Sequence, residues 1–402
     1  MADPRTAATM ADGALRRTQR RLMQPAFSND ALNGYVPIMG RIVEESLAAL
    51  AAGGPFELRS EVRTTTVDLA NSLLVGLTGL DSAAKRELQA VMDDFFSGTQ
   101  ALELSEDPNS VFGRGLAAKK RLFEMLQPAL VEQRDALLAE GHIRSDGNTK
   151  PRKSVLGCMM DARIAMGDAD ALHDLDVLTY QCIGMLMAGV DTSGSSFTTL
   201  LVALTQMPEV VERLREEQQK VIQTHGPGLT RAALDAMKYC DAVVKEVQYI
   251  QPAGAANLRV ALKDLEIGGC SIPAGAMIVV HWHAAHMLED AEFFGRQTVP
   301  LPRAGRPAVL DKDYLSQVFR PERWLAGGVG GRKPTMLTFH YGPHTCLGTT
   351  LYMLEAKALL AALVRGYDLE LLADPATIPW TYAPLSLPDR AVPLMARLAA
   401  RA

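Results

Sequence analysis

The sequence predicts a mainly α-helical protein with small β-sheets, and three observations support this fold class. The first 240 residues carry apolar side chains at helical spacing. Past Gly254 this spacing gives way to short β-prone segments separated by glycine and proline turns. The composition, with 48% hydrophobic and 22% charged residues among 402, is that of a folded globular chain.

The predicted helices of the N-terminal part have an amphipathic or apolar pattern. They cover residues 15–25, 35–52, 56–77, 116–139, 177–208 and 209–224. The sequence His-Gly-Pro-Gly at 225–228 ends the last of them, because glycine and proline interrupt helices.

The stretch 177–208 is long and weakly charged, which raises the question of a membrane span. It contains Asp191 and several serine and threonine residues. It therefore lacks the unbroken run of about 18 apolar residues that a span requires. We predict a long helix buried in the protein core instead.

The C-terminal part is predicted to mix short strands with one helix. Strands are expected at 257–261, 265–267, 277–282 and 367–372, a helix at 347–364, a proline-rich hairpin at 382–398 and a surface insertion at 297–307. Gly366 is expected to stop the helix.

Charge and cysteine content exclude several protein classes. The net charge is −5 and the sequence pI is about 6.0, which argues against nucleic-acid binding. Five cysteines without C-x-x-C spacing indicate a reducing compartment rather than a disulfide framework. No apolar leader follows Met1. We expect an intracellular chain, soluble or peripheral, with any membrane anchor lying upstream of Met1.

The most informative segment is 339–348, with the pattern F-x-x-G-x-x-x-C-x-G before an apolar helix. At a helix N-terminus, the helix dipole and free N–H groups favour the thiolate form of Cys346. Gly342 and Gly348 allow peptide N–H groups to approach the sulfur. Such a thiolate is suited to be an axial ligand of haem iron. The alternative is a buried structural cysteine in a glycine-rich loop.

At these residues the chain resembles the cytochrome P450 family, and further motifs agree in order. Residues 188–192 are similar to its oxygen-activation segment, and 319–324 to its F-x-P-E-R-W box. Residues 18–28 are similar to the helix that carries a haem-propionate arginine. The resemblance runs from about residue 13 to the end. It implies one P450-like domain over residues 1–402, lacking the family's N-terminal portion.

The resemblance implies haem b (iron protoporphyrin IX) as cofactor, with Cys346 as the iron ligand. The other residues implied to bind the cofactor are Phe339, Gly342, His344, Gly348, Arg20 and Arg259. Of these, Arg20, Arg259 and His344 would face the propionates. The neighbouring Arg16, Arg17 and Arg21 are expected to lie on a solvated helix face.

Asp191 and Thr192 are implied to be the acid–alcohol pair that delivers protons to the reacting centre. The alternative for Thr192 is a hydrogen bond from its hydroxyl to a carbonyl one helical turn back. His281, His283 and His286 form another polar cluster. Strand-like spacing would place His281 and His283 on one face, and no partner has recognised zinc spacing.

One motif departs from the family. The E-x-x-R helix motif has Tyr249 in place of its arginine, while the resemblance implies a buried pair between Glu246 and Arg323. We expect the Tyr249 hydroxyl to donate a hydrogen bond to the Glu246 carboxylate. A neutral donor compensates a buried carboxylate less well than a guanidinium, so weaker haem retention would follow.

The resemblance implies a monooxygenase that hydroxylates an apolar small molecule with O2. Electrons would come from a separate NAD(P)H-dependent reductase or a ferredoxin. The residues expected to face the substrate are Met187, Ala188, Ala253, Ala256 and Leu385. Residues 366–371 and the proline-rich segment after them resemble the retinoic acid hydroxylases and their cyanobacterial relatives, which favours an isoprenoid or sterol-like substrate.

Two other functions stay open at this point. The chain could be a degenerate, non-catalytic protein that binds haem or an apolar ligand, since the resemblance lacks the family's N-terminal portion and Tyr249 breaks a family motif. It could also be a haem-thiolate isomerase or dehydratase that needs no reductase. Those relatives generally depart from the acid–alcohol pair, which this chain retains at Asp191 and Thr192.

Overall fold

The computed structural model describes residues 13–76, 81–140, 154–293, 310–328, 333–381, 385–389 and 391–401. Within these ranges the α-helices are α1 (Gly13–Met23), α2 (Asn29–Gly53), α3 (Leu58–Ala70), α4 (Ser82–Thr99), α5 (Val111–Glu140), α6 (Val155–Ala165), α7 (Leu175–Thr205), α8 (Pro208–His225), α9 (Arg231–Ala236), α10 (Lys238–Ile250), α11 (Trp282–Phe293), α12 (Lys312–Val318) and α13 (Thr349–Gly366). The strands are β1 (Phe56–Glu57), β2 (Ala256–Val260), β3 (Leu265–Ile267), β4 (Cys270–Ile272), β5 (Met277–His281), β6 (Tyr367–Leu371), β7 (Trp380–Thr381), β8 (Leu387–Pro388) and β9 (Met395–Ala400). The predicted mainly helical fold with small sheets is confirmed. The surface insertion predicted at 297–307 lies outside the described residues.

The strands form small antiparallel sheets. Strand β9 pairs with both β6 and β1, while β2 pairs with β5, β3 with β4 and β7 with β8. The prediction of one hairpin over 382–398 is wrong. Strand β8 of this segment pairs with β7, and β9 pairs with β6. Both partners precede residue 382, so the two strands do not pair with each other.

The prediction of one helix over 56–77 is also wrong. Residues 56 and 57 pair with β9, and the Glu57 carboxylate then caps α3 by accepting the Ser60 N–H at 2.7 Å. After α3 the chain widens into a π-helical turn at Asn71–Val75. Gly76, in the left-handed conformation with φ 81°, ends this turn. The partner strand, distant in sequence, decides where the helix begins.

The long helix α7 runs through the middle of the molecule and agrees with the predicted buried helix. Its 31 residues span about 46 Å, and nearly every side chain from Val190 to Leu204 is buried. It packs against α3, α5, α8 and α10. The rings of Phe197 on α7 and Tyr352 on α13 stack with centroids 5.9 Å apart. Among the described helices, none combines the length and mean hydropathy of a membrane span.

Two glycines of α7 provide a matched test of this packing. A Cβ at Gly189 would come within 2.4 Å of a Leu74 methyl and 3.3 Å of the Ala70 Cβ, whereas a Cβ at the exposed Gly184 would meet nothing within 4 Å. We expect Gly189→Ala to destabilise the fold by about 1–3 kcal/mol through overpacking. Gly184→Ala should stabilise it by about 0.5–1 kcal/mol through helix propensity. Thermal unfolding of both variants measures this, and equal shifts would contradict close packing of α7 on α3.

Candidate functional site

The loop that carries Cys346 folds back on itself just before α13. The Cys346 N–H donates to the Phe339 carbonyl at 2.8 Å, and the Thr345 N–H donates to the Gly342 carbonyl at 3.0 Å. Gly342 has φ 67°, a left-handed conformation that favours glycine. These bonds bring Cys346 to the start of α13, as the motif predicted.

The Cys346 sulfur is reached by solvent but is surrounded on most sides by protein. Burial raises the pKa of the thiol, while the Gly348 N–H, the Thr349 hydroxyl, the Arg20 charge and the Thr349 N–H oppose this rise. A Cβ at Gly348 would lie 3.7 Å from the sulfur, so glycine leaves this side open. The donors are placed to stabilise a negatively charged sulfur.

Helix α1 lies against this loop through two arginines. Arg20 Nη1 donates to the Thr345 carbonyl at 2.8 Å, and Arg16 Nη2 donates to the Pro343 carbonyl. The expectation that Arg16 faces solvent is wrong, since it is buried, whereas Arg17 and Arg21 are exposed. The loop carbonyls explain the difference, because they accept hydrogen bonds from the side chains that α1 turns towards them.

Further basic and titratable groups act on residues of this loop. Arg259, on β2, donates to its neighbour's carbonyl at Leu258. Burial, and then the charges of Arg259 and His344, lower the pKa of His340. Arg20, Arg259 and His344 therefore gather around one loop, as groups that bind two carboxylates would.

His340 has an unusual backbone conformation. It is the non-glycine residue with positive φ, 64°, in the described part of the chain. Its Nδ1 lies 3.0 Å from Asn257 Nδ2, and its ring lies 5.0 Å from that of Trp282. These contacts hold a conformation that costs about 1–2 kcal/mol for an L-residue.

Asp191 and Thr192 lie side by side on α7 but differ in environment. Asp191 is buried, and its Oδ1 lies 2.9 Å from Arg63 Nη2 on α3, which also pairs with Asp93. Thr192 is exposed, and its hydroxyl donates to the Ala188 carbonyl. The hydroxyl thus makes the helical hydrogen bond named above as the alternative to a proton relay.

The residues expected to face a substrate come from three segments, which Ser386 links. Ser386 is fully buried. Its N–H donates to the Ala253 carbonyl at 2.7 Å, its Oγ accepts from Gln251 Nε2 at 2.9 Å, and its carbonyl accepts from Ser195 Oγ of α7. Leu385 thereby lies next to Ala253. Of the others, Met187 is half-buried, and Ala188 and Ala256 are exposed. The sequence held no signal for Ser386.

Glu246 and Arg323 form a buried ion pair, with Nε to Oε2 at 3.0 Å. Glu246 also accepts hydrogen bonds from the Arg320 N–H and from Trp324 Nε1, both at 2.7 Å. Burial raises the pKa of Glu246 to about 7, and these three donors oppose the rise. Arg323 Nη1 in turn lies 2.6 Å from Asp290 Oδ1. Asp290 is a partner that the motif analysis missed, because it belongs to no recognised motif.

Tyr249 does not bond to Glu246, so that expectation is wrong. Its hydroxyl lies 2.8 Å from the His286 carbonyl and 2.9 Å from Glu289 Oε2. The ring stacks on His286 with centroids 4.5 Å apart, and the Arg323 guanidinium lies 4.9 Å from the ring centre. Tyr249 points towards α11 because the three donors named above already surround the Glu246 carboxylate.

The histidine cluster also differs from its expected arrangement. His281 ends β5, whereas His283 and His286 lie on α11, so strand spacing does not describe them. Burial lowers the pKa of His283 and of His286 to about 4. Among the described residues, no group of three or more His, Cys, Asp or Glu side chains is placed to hold a metal ion.

Comparison with known proteins identifies the family. The cytochrome P450 family profile matches residues 2–296 and 316–389. The chain belongs to the cytochrome P450 family. Haem b is the cofactor of this family. The residues present fit it: the Cys346 sulfur faces amide donors near a helix start, with the Arg20 charge acting on it. Arg259 and His344 act electrostatically on His340 in the same loop, where propionates could be met.

Individual relatives are distant. Cytochrome P450 88A1 of Zea mays is 28% identical over 371 residues, covering 91% of this chain and 64% of the relative. Beta-amyrin 11-oxidase of Glycyrrhiza uralensis is 25% identical, covering 88% and 65%. The solved structure of retinoic acid bound cyanobacterial CYP120A1 has a TM-score of 0.78 at 23% identity, covering 98% of this chain and 81% of that one. The chain thus spans about two thirds of these two curated relatives.

The backbone at His340 can be tested with two substitutions that remove the same side-chain contacts. His340→Ala and His340→Gly both lose the hydrogen bond to Asn257, but only alanine keeps a Cβ at φ 64°. We expect the glycine variant to be more stable by about 1 kcal/mol, since glycine adopts positive φ freely. Chemical denaturation of both compares them, and a more stable alanine variant would contradict local strain at this position.

The buried histidines predict acid sensitivity. Their pKa is about 4 in the folded chain against about 6.5 when unfolded, so protonation favours unfolding. Their contribution to stability is complete above pH 6.5 and is lost as the pH falls from 6.5 towards 4, by up to about 3 kcal/mol each. We expect His286→Phe to reduce this loss relative to the wild type in unfolding curves across that range. An unchanged pH dependence would contradict burial of the neutral imidazole.

Proposed function

We propose that this chain is a haem-thiolate monooxygenase that hydroxylates an apolar small molecule. The observation that carries the proposal is Cys346 at the start of α13, with the Gly348 and Thr349 N–H groups directed at its sulfur and Arg20 beside it. Haem bound through a cysteine thiolate supplies O2 activation, which the thiolate promotes by donating electron density. Membership of the P450 family supports the same activity.

We assign haem binding and proton delivery to separate groups of residues. Cys346 would hold the iron, with Phe339, Gly342 and Gly348 shaping the loop around it, and Arg20, Arg259 and His344 would bind the propionates. Asp191 would relay a proton towards the site, with Arg63 keeping its carboxylate oriented. Thr192 would pass that proton on after releasing its hydrogen bond to the Ala188 carbonyl.

The substrate is proposed to be isoprenoid or sterol-like. The five side chains proposed to face it are all apolar: Met187, Ala188, Ala253, Ala256 and Leu385. Ser386 supports a shared wall for them, because its three polar groups tie together the segments that carry them. A curated relative is named as a beta-amyrin oxidase, which is consistent with this class. The similarity of residues 366–371 to retinoic acid hydroxylases points the same way.

Electrons are proposed to come from a separate NAD(P)H-dependent reductase or a ferredoxin, as the family resemblance implies. We also propose an intracellular location, supported by five cysteines that are all free thiols. The alternative of a non-catalytic haem or apolar-ligand protein drew on Tyr249. It loses that support, because Glu246 has three donors without the motif arginine.

The proposal is tested by two cysteine substitutions of equal chemistry. Cys346 and Cys270 are both exposed, but Cys270 lies on β4 and is not part of the loop. We expect the reduced, carbon monoxide-treated wild type and Cys270→Ser to show the red-shifted Soret band of thiolate-ligated haem. Cys346→Ser should lose this band completely, since an alcohol does not ionise to replace the thiolate. An unshifted band in the wild type would refute the proposed site.

Turnover separates the activity from the rival functions. Panels of isoprenoid and sterol-like compounds, with NADPH and a competent reductase or ferredoxin, should give a hydroxylated product that depends on the electron donor. Haem retention without product in any panel would favour the binding protein. Consumption of a lipid hydroperoxide without a reductase would favour an isomerase or dehydratase.

A further inference from the structure

The segment that leads into the cysteine loop is held by side chains of α11. The Thr335 N–H donates to both carboxylate oxygens of Glu289, at 3.1 and 3.0 Å. The Leu337 N–H donates to His286 Nε2 at 2.9 Å. These alternate N–H groups face the same side, as in an extended chain. Residues 333–337, which carry them, belong to no helix or strand.

The spacing of donors and acceptors matches. Residues three apart on a helix lie about 5–6 Å from each other, and residues two apart in an extended chain lie about 7 Å apart. His286 and Glu289 are three apart on α11, and Leu337 and Thr335 are two apart in the segment. The α11 side chains therefore satisfy the backbone N–H groups as a neighbouring strand would.

Tyr249 orients both of these side chains. Its carbonyl lies 2.9 Å from His286 Nδ1, and its hydroxyl donates towards Glu289 Oε2 at 2.9 Å. Since His286 Nε2 accepts the Leu337 N–H, the ring proton is on Nδ1 and is donated to the Tyr249 carbonyl. The stacked phenol fixes the plane of the imidazole.

The segment continues directly to the cysteine. Thr338 Oγ1 donates to the Gln248 carbonyl at 2.8 Å, next to Tyr249 on α10. The Phe339 carbonyl then accepts the Cys346 N–H. Hydrogen bonds of Thr335, Leu337, Thr338 and Phe339 thus anchor the segment to α10, to α11 or to Cys346.

We propose that Tyr249, His286 and Glu289, the Tyr249 cluster, are positioning residues that hold residues 335–339 and thereby orient Cys346. Tyr249 stands at the position where the family motif has an arginine. Its relevance to a haem ligand rests on the proposed function, whereas its effect on the loop does not.

The first experiment measures backbone amide exchange in the full chain without haem. Tyr249→Phe removes the hydroxyl alone, Glu289→Ala removes the carboxylate, and His286→Phe keeps a ring but loses both nitrogens. Leu288→Ala, an exposed position of the same helix, is the matched control. Each cluster variant should raise exchange of peptides covering 335–340 by about fivefold, the effect of one lost hydrogen bond.

A coupled response is the sharper expectation. If the segment is held as one unit, Glu289→Ala should speed exchange at the Leu337 amide as well as at Thr335, although Glu289 bonds only the latter. Tyr249→Phe should do the same, since it removes the hydroxyl that orients Glu289. Unchanged exchange at 335–340 would overturn the proposal. Faster exchange throughout α5 and α7 would also overturn it, because it would indicate a general loss of stability.

The second experiment follows the cysteine. In a Cys270→Ser background Cys346 is the exposed thiol, because the other three cysteines are buried. Cluster variants should alter its alkylation rate about fivefold, with Leu288→Ala unchanged. In the haem-loaded protein, they should also lower the thiolate-ligated fraction of the carbon monoxide complex. Absence of haem binding with the exchange effect intact would refute the proposed function alone, and intact haem ligation with no exchange effect would refute the cluster alone.

Discussion

The structure around the site depends on how one fully buried carboxylate is compensated. Glu246 on α10 accepts from a guanidinium, a backbone N–H and an indole N–H, all from residues 320–324. A buried charge without such partners would cost several kcal/mol. The pairing therefore fixes this segment against α10 and brings Arg323 within reach of Asp290 on α11. Three parts of the chain are joined at a single point.

The same arrangement explains why a tyrosine is accepted at position 249. With Glu246 and Asp290 both facing Arg323, the guanidinium is shared by two carboxylates and lies over the Tyr249 ring. The phenol is free to bond to α11 instead. A neutral side chain here thus connects helices, where the family motif has a charged one. The departure from the motif is compensated by residues that the motif does not include.

The site itself lies where long elements meet short loops. Helices α7 and α13 meet where the Phe197 ring stacks on the Tyr352 ring, with centroids 5.9 Å apart. Burial raises the pKa of Glu355 on α13 to about 8, and a hydrogen bond with Ser193 of α7 opposes this rise. Helix α7 carries Asp191 and Thr192, whereas a loop carries Cys346.

Patterns with a local physical cause were readable from the sequence. The period of apolar residues located α7 and α13, glycine and proline located the breaks, and the spacing around Cys346 identified its loop, because each depends on nearby residues alone. Partners distant in sequence were decided by the tertiary structure. Packing of α10 on α11 directed Tyr249 to Glu289, 40 residues away, and the loop carbonyl at Pro343 buried Arg16. Likewise, pairing of residues 56 and 57 with β9 makes α3 begin two residues later than periodicity indicated. A sequence pattern records which side chains turn inward, but the atoms that meet them there depend on how the helices and strands pack.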